Sequence, residues 1–183
     1  GSVFVDEVHR ANSNEFFPNL IHLDLVGNPK IKSLKGLENL LHLKSLSLEN
    51  LKNWKEASDL EQISGLKKLW FEVASDDFQM DLNLLPAGLS EIYIGPHKTY
   101  DLSFKGGLDF ARFKNLTKLT IIAYNLGDGS LFTLPSSLTQ FSLYRNNSFK
   151  DLSMFSTLSE DCNIVIRNLH LSKFSFPKEF KNL

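Results

Sequence analysis

Apolar residues recur along this chain in a short phrase with a period of about 23 residues. The first copy is Leu20-Ile-His-Leu-Asp-Leu-Val-Gly-Asn28, in which the first, fourth and sixth positions are leucine. The middle apolar residue of successive copies falls at Leu23, Leu46, Leu69, Ile92, Leu119, Phe141 and Ile164. The steps are therefore 23, 23, 23, 27, 22 and 23 residues, a register that chance apolar runs would not keep. This period predicts an array of stacked repeats that share one continuous core.

The spacing inside each copy predicts a short strand. The fourth and sixth positions are apolar and flank one outward residue, which is the two-residue alternation of β-structure. In the segments between copies, Leu34, Leu37 and Leu40 step by threes, which favours a short helix or 3₁₀ turn, whereas Pro86 and Pro135 favour extended segments. The predicted fold class is α/β: a right-handed solenoid with a parallel β-sheet on the concave face and short helices, 3₁₀ turns or extended segments on the convex face.

The ends of the chain bear on its domain organisation. Residues 1–183 are predicted to form a single domain of about seven repeats, with an N-terminal strand at Val3–Val5. Gly1-Ser2 is interpreted as a cloning remnant. Phe180-Lys-Asn-Leu183 matches the residues that open earlier strands, so the chain stops where another repeat should begin. We therefore expect an excised piece of a larger protein.

One step of the array is longer than the others and places four extra residues in Gly95–Phe113. Two interpretations stay open. The segment is either a protruding recognition loop or an insertion tolerated on one rim.

Composition excludes several classes of partner. The chain has 20 Lys+Arg against 21 Asp+Glu, so the basic excess of a nucleic-acid-binding surface is missing. No run of 18 apolar residues suggests a membrane span. Cys162 is the single cysteine, so there is no intrachain disulfide, and an intracellular (cytoplasmic or nuclear) location is favoured. Two sequons, at Asn115 and Asn146, point the other way.

Motifs that carry catalysis are missing from the sequence. It contains no Gly-x-Ser-x-Gly elbow, no Walker loop, no dinucleotide glycine fingerprint and no His-Glu-x-x-His. The five histidines are scattered, without metal-ligand spacing to a cysteine or carboxylate. We therefore predict no enzyme activity, no catalytic residue, no metal site, no cofactor and no small-molecule substrate.

The outward positions of the predicted strands are the better place to look for function. Trp70, Tyr93, Ile122 and Tyr144 fall on four consecutive strands and form an apolar band. Such residues dominate binding hot spots, because they bury much area at little entropic cost. Charged flanks complete the predicted partner-binding site, at Glu49, Glu72, Lys118, Arg145 and Arg167. The alternative is that the aromatics only stabilise the sheet as cross-strand neighbours.

The phrase Leu20–Asn28 resembles a leucine-rich repeat of the 22–23-residue type, although several copies lack its final asparagine, which Leu51, Ala74 and His97 replace. Irregular arrays of this kind resemble the repeat domains of F-box substrate receptors and plant intracellular immune receptors. Leu134-Pro-Ser-Ser-Leu138 is also similar to repeats of bacterial effector ubiquitin ligases.

The resemblance implies a protein–protein recognition module whose partner is another protein or another domain of the same protein. Two alternatives remain. The chain is the substrate-recognition part of a ubiquitin ligase, of the F-box or the bacterial effector type, or it is a structural packing domain of an immune receptor or a fixed complex.

Overall fold

A computed structural model describes residues 17–55, 57–75, 77–97, 102–123, 125–126, 132–146 and 152–168. The strand predicted at Val3–Val5 and the segment Phe180–Leu183 lie outside these residues. In chain order the strands of the described part are β1 (His22–Val26), β2 (Ser45–Glu49), β3 (Lys68–Val73), β4 (Gln79–Met80), β5 (Glu91–Pro96), β6 (Ser103–Phe104), β7 (Leu108–Asp109), β8 (Lys118–Ile122), β9 (Phe132–Thr133), β10 (Gln140–Tyr144) and β11 (Asn163–Arg167).

Seven of these strands form one sheet in the order β1-β2-β3-β5-β8-β10-β11. Every neighbouring pair in it is parallel. The middle apolar residues of the seven copies pair in one continuous row, which is Leu23, Leu46, Leu69, Ile92, Leu119, Phe141 and Ile164. The predicted stacking of successive phrases into a parallel sheet is therefore confirmed.

The core lies between this sheet and the segments that return the chain. The sixth positions are buried together with the fourth, Leu25 and Leu48 being 0 % exposed. Aromatic rings fill the space behind the strands: Trp54 packs on Phe71 and Phe78 at centroid distances of 5.4 and 5.5 Å. A second run of ring contacts continues along the array through Phe110, Phe132, Phe141 and Phe155. At the C-terminal strand the inward side chains of Ile164 and Ile166 are only half-buried.

The return segments carry short 3₁₀ helices, and the described residues include no α-helix. The 3₁₀ helices are Leu37–Asn39, Ala57–Leu60, Leu82–Leu84, Phe110–Arg112 and Ser153–Thr157.

The two proline-containing returns differ from each other. Pro135 follows the extended pair Phe132–Thr133, as predicted, whereas the return at Pro86 begins with the 3₁₀ helix and becomes extended at Leu85, at φ −88° and ψ 144°. The pyrrolidine ring disfavours a helical conformation in the preceding residue, so the helix ends there.

The longer step between β5 and β8 builds small strands rather than a free loop. β6 pairs with β4, and β7 pairs with β9, each in a two-stranded parallel sheet. Phe110 is 0 % exposed, and the half-buried Phe104 packs against the core. The described part of Gly95–Phe113 therefore favours the tolerated insertion over the recognition loop, while residues 98–101 lie outside the described part.

Six strands of the large sheet end in one of two ways. After β1, β2, β10 and β11 the chain turns at a residue with left-handed backbone, which is Gly27, Asn50, Arg145 or Asn168 at φ 66°, 56°, 63° and 57°. β3 and β5 instead continue for one more residue, to Val73 and Pro96. The central strands are six residues long where the others of the sheet have five. The widest part of the sheet therefore lies at its centre.

The final position of the repeat phrase shows why asparagine is not required there. Leu51 and Ala74 are buried in the core, at 4 % and 7 % exposure. The backbone N–H of His97 donates to Val73 O at 2.7 Å. Asn146, 1 % exposed, donates to Ala123 O on the neighbouring repeat at 3.5 Å. The turn is supported either by burial or by a hydrogen bond between repeats.

Candidate binding surface on the concave face

The outward positions of the seven strands pair in straight rows across the sheet. The middle row holds the residue between the two buried positions, and it consists of Asp24, Ser47, Trp70, Tyr93, Thr120, Ser142 and Val165. The row at the carboxyl end of the strands runs through Val26, Glu49, Glu72, Gly95, Ile122, Tyr144 and Arg167, with no ladder pair between Gly95 and Ile122. This surface is the candidate site.

Trp70 and Tyr93 form an aromatic stack at the centre of the middle row. The two residues are direct partners in the β3–β5 ladder, and their rings lie 3.5 Å apart at an interplanar angle of 7°. Trp70 remains 42 % exposed, whereas Tyr93 is half-buried. An exposed tryptophan held in one orientation by a neighbouring ring is pre-ordered for contact, because little rotamer freedom remains to be lost on binding.

The Tyr93 ring lies against Gly95 of its own strand. A Cβ on Gly95 would meet Ile122 Cβ at 3.3 Å, the Tyr93 hydroxyl at 3.4 Å and Tyr93 Cε1 at 3.5 Å. The Tyr93 ring therefore extends along its own strand and over the glycine, where it approaches Ile122. The apolar band thus passes from the middle row at Trp70 and Tyr93 to the carboxyl row at Ile122 and Tyr144, which pair directly.

A concave groove of about 700 Å³ runs across the strands over this band. Its walls include Trp70, Tyr93, Ile122, Tyr144 and Lys118 from the predicted site. The sequence prediction missed several small or polar residues of its lining, which include Thr120, Gln140, Ser142, Asn163 and Val165. Their outward positions in the repeat phrase were the available signal. The remaining predicted residues, Glu49, Glu72, Arg145 and Arg167, do not line the groove and stand at the carboxyl ends of β2, β3, β10 and β11.

The Tyr93 hydroxyl interacts electrostatically with charged residues of both signs. Burial raises the pKa of this hydroxyl above its ordinary value of 10.0, and the carboxylates of Glu72 and Glu49 raise it further. The Arg145 guanidinium acts in the opposite direction, and Tyr144 raises the pKa slightly. Tyr93 is therefore an O–H group at neutral pH. It lies within the electrostatic range of an acidic pair and of a basic side chain.

Local contacts orient both carboxylates of the acidic pair. His97 Nδ1 lies 3.2 Å from Glu72 Oε2, and Ser47 Oγ donates to Glu49 Oε1 at 3.2 Å. At the opposite, amino end of the strands Lys68 and Glu91 form an ion pair at 2.5 Å. Since that pair cancels its own charge, Lys118 dominates the amino edge of the groove.

The described residues contain no cluster of three or more His, Cys, Asp or Glu side chains that could hold a metal ion. Burial raises the pKa of the Cys162 thiol, which disfavours the nucleophilic thiolate. The chemistry available on the concave surface is apolar contact, hydrogen bonding and charge pairing.

Within the described ranges, no helix has both the length and the apolar character that a membrane span requires.

Comparison with known proteins agrees with this architecture. Residues 14–124 match the family model described as the leucine-rich-repeat domain of the endo-beta-N-acetylglucosaminidase EndoS. Among solved structures the chain resembles an internalin C2 from Listeria monocytogenes str. 4b F2365, with a TM-score of 0.53 and 15% sequence identity over 88% of this chain and 77% of the internalin chain. At that identity the likeness concerns the fold alone. The search of curated proteins gave no significant match.

Proposed function

Because the chain belongs to the family of EndoS leucine-rich-repeat domains, we propose that it is a protein-recognition module that binds a protein partner on its concave face. Leucine-rich-repeat folds generally serve protein–protein interaction. The family match covers the repeats that supply β1 to β8, and these include both residues of the aromatic stack.

The observation that carries this proposal is the aromatic stack in the floor of the groove. Trp70 is 42 % exposed although it sits at the centre of a regular sheet, and Tyr93 holds its ring at 3.5 Å. If Trp70 and Tyr93 only stabilised the sheet by cross-strand packing, smaller β-branched residues would be sufficient, and Thr120 occupies the same row on the next strand. Tryptophan and tyrosine are the residues whose truncation costs interfaces most.

The proposal predicts a loss of affinity when the stack is removed. Trp70→Ala and Tyr93→Ala should each weaken partner binding by about 1–3 kcal/mol, or about 5- to 150-fold, because each truncation removes a large buried contact. The measurement is a binding titration with a partner captured from extracts of the source cells. Leu41→Ala is the matched control, since Leu41 is also apolar and 67% exposed but lies in a return segment.

The control distinguishes a specific site on the concave face from nonspecific binding to any exposed apolar residue. The partner should bind the Leu41→Ala variant like the wild type. A loss of affinity in Leu41→Ala as large as in Trp70→Ala or Tyr93→Ala would reject the concave face as the binding surface. Full binding by the double variant of Trp70 and Tyr93 would reject it as well.

A second candidate is packing against another domain of the same protein. The family model supports it, because it describes the repeat domain of a larger enzyme. A photo-crosslinking amino acid at position 70 of the full-length protein distinguishes the two. Crosslinks within the same chain would favour the packing role, and crosslinks to a second protein would favour recognition.

The remaining sequence interpretations stay predictions. Neither reported match is a ubiquitin ligase or an immune receptor, so these alternatives gain no support. The intracellular location is also a prediction. The sequon at Asn146 carries little weight against it, because that side chain is 1 % exposed.

A further inference from the structure

The carboxyl edge of the groove is electrically polarised along the sheet. Its acidic side is formed by Glu49 on β2 and Glu72 on β3, and Asp24 on β1 adds a carboxylate in the adjoining row. Its basic side is formed by Arg145, directly after β10, and Arg167 at the end of β11.

The apolar band lies between the two sides. Going from β3 to β10, the surface presents Trp70, Tyr93, Ile122 and Tyr144 in order. The polarity is local, since the whole chain carries a net charge of −1. The carboxylates of Glu72 and Glu49 raise the pKa of the Tyr93 hydroxyl and Arg145 lowers it, so both sides lie within electrostatic reach of the stack.

We infer that the groove takes an extended segment of a partner protein that crosses the strands, with a basic residue at the acidic side, an apolar or aromatic centre on the band, and an acidic residue at the basic side. This inference rests on the proposed function and names the chemistry of its partner. A nucleic acid does not fit, because half of the edge would repel its phosphates.

The geometry of the sheet fixes the spacing of the two charged residues. β3 and β10 are three strand steps apart, and the centres of the acidic and basic sides are four steps apart. At about 4.8 Å per step the separation is about 14–19 Å. An extended chain covers that distance with about four to six residues, whereas a helix needs about nine to thirteen. The number of residues between the charges therefore reports the conformation of the segment.

The backbone at Arg145 supports a specific role for this side chain. Arg145 adopts φ 63°, a left-handed conformation for which glycine or asparagine is the usual choice. The equivalent positions after β1, β2 and β11 hold Gly27, Asn50 and Asn168. Strain of this kind points to a functional reason for the residue.

A random-peptide phage library, selected on the immobilised 183-residue chain, tests the inference. The enriched peptides should carry a Lys or Arg and an Asp or Glu about four to six residues apart, on either side of apolar or aromatic residues. On the Glu49→Lys/Glu72→Lys variant the basic residue should be replaced by an acidic one. On the Arg145→Glu/Arg167→Glu variant the acidic residue should be replaced by a basic one. Each charge pair that the peptide forms at the edge of the sheet should change individual peptide affinities about two- to fivefold.

Two control variants accompany the selection. Glu61→Lys/Glu160→Lys makes the same change of net charge on exposed residues away from the groove and should select the wild-type pattern. Glu49→Gln/Glu72→Gln should lose the preference for a basic residue without inverting it. Thermal unfolding of each variant checks that the fold is retained, and the glutamine variant serves if the lysine variant does not fold.

The outcomes separate this inference from the proposed function. The inference is overturned if the enriched peptides share no pattern of charged residues, or if the same charges are selected on the charge-reversed variants. A spacing of about nine to thirteen residues between the charges, or a library that yields no binder, would overturn it as well. If such peptides nevertheless fail to bind the Trp70→Ala/Tyr93→Ala variant, the concave recognition surface stands. If the enriched peptides bind that variant as well as the wild type, the proposed function falls too.

Discussion

The two tryptophans of this chain lie on opposite sides of the same strand and serve different purposes. Trp54 is 2 % exposed and packs edge-on against Phe71 at 5.4 Å, behind the sheet. Trp70 is 42 % exposed and stacks flat on Tyr93 at 3.5 Å, in front of it. Trp70 and Phe71 are neighbours in β3, so a single residue step separates the core from the groove. The alternation of β3 places Phe71 in the core and Trp70 on the concave face, whereas Trp54 reaches the core from the return segment that precedes this strand.

The largest expected effect concerns the buried member of the pair. Trp54→Ala should lower the free energy of unfolding by about 3–5 kcal/mol, because it leaves a cavity between Phe71 and Phe78. Urea denaturation measures this change.

Trp70→Ala provides the matched contrast in the same experiment. It removes an exposed ring and one aromatic pair, so it should cost only about 0.5–1.5 kcal/mol of stability. Equal destabilisation by the two variants would contradict the division between core and groove.

A smaller effect is expected from Gly95→Ala. The added methyl group would meet Ile122 Cβ at 3.3 Å, a tight contact that requires a small shift, and it would touch the Tyr93 ring at 3.4–3.5 Å. Since Ile122 Cβ is attached directly to the backbone of β8 but has to move only slightly, stability should fall by about 0.5–1 kcal/mol. The near-ultraviolet circular dichroism of the stacked rings should change, and partner affinity should fall with it.

Gly65→Ala is the control for that substitution. Its Cβ would meet the flexible Lys44 Nζ at 3.4 Å, far from the stack. An unchanged ring spectrum in Gly95→Ala, or an equal change in Gly65→Ala, would show that Gly95 does not position Tyr93.

The smallest effect concerns the Tyr93 hydroxyl. Its pKa is raised in the folded chain by burial and then by Glu72 and Glu49, so the unfolded chain loses this proton first as pH rises. The stabilising contribution of the protonated hydroxyl is therefore complete below the unfolded pKa of about 10 and is lost as pH rises through the folded value.

Unfolding curves between pH 8 and 11 test that sign. The wild type should lose more stability over this range than Tyr93→Phe does, because phenylalanine has no proton to release. Parallel curves for the two proteins would contradict the environment described for this hydroxyl.

Much of the fold follows from the sequence, because the repeat phrase fixes which residues pair. The row from Leu23 to Ile164 was predictable from spacing alone, and so was the adjacency of Trp70 and Tyr93. The small sheets β4–β6 and β7–β9 were not, since two-residue strands leave no periodic signal. Nor was the half-burial of Ile164 and Ile166, because the repeat phrase marks a position as inward without saying how completely it is covered.

The candidate site was predictable as a set of residues and not as a geometry. The sequence placed the aromatic band on consecutive strands, but the flat stack of Trp70 and Tyr93 and the contact of the Tyr93 ring with Gly95 depend on side-chain conformations that a repeat pattern does not give. The polarity of the carboxyl edge was present in the sequence as separate charges on separate repeats. It becomes a pattern only when the order of the strands is known.

The spacing between the strands of the sheet differs from the spacing between the residues of an extended peptide that crosses them. The rows advance by about 4.8 Å per strand, while an extended peptide advances by about 3.3 Å per residue. Two strand steps therefore match about three residues, and because successive side chains of an extended peptide point to opposite sides, a side chain facing the sheet returns to the same alignment only after about six residues. A binding sequence for this surface should repeat its important residues with that rhythm, whatever their identity, and a single inserted residue should cost more than most substitutions.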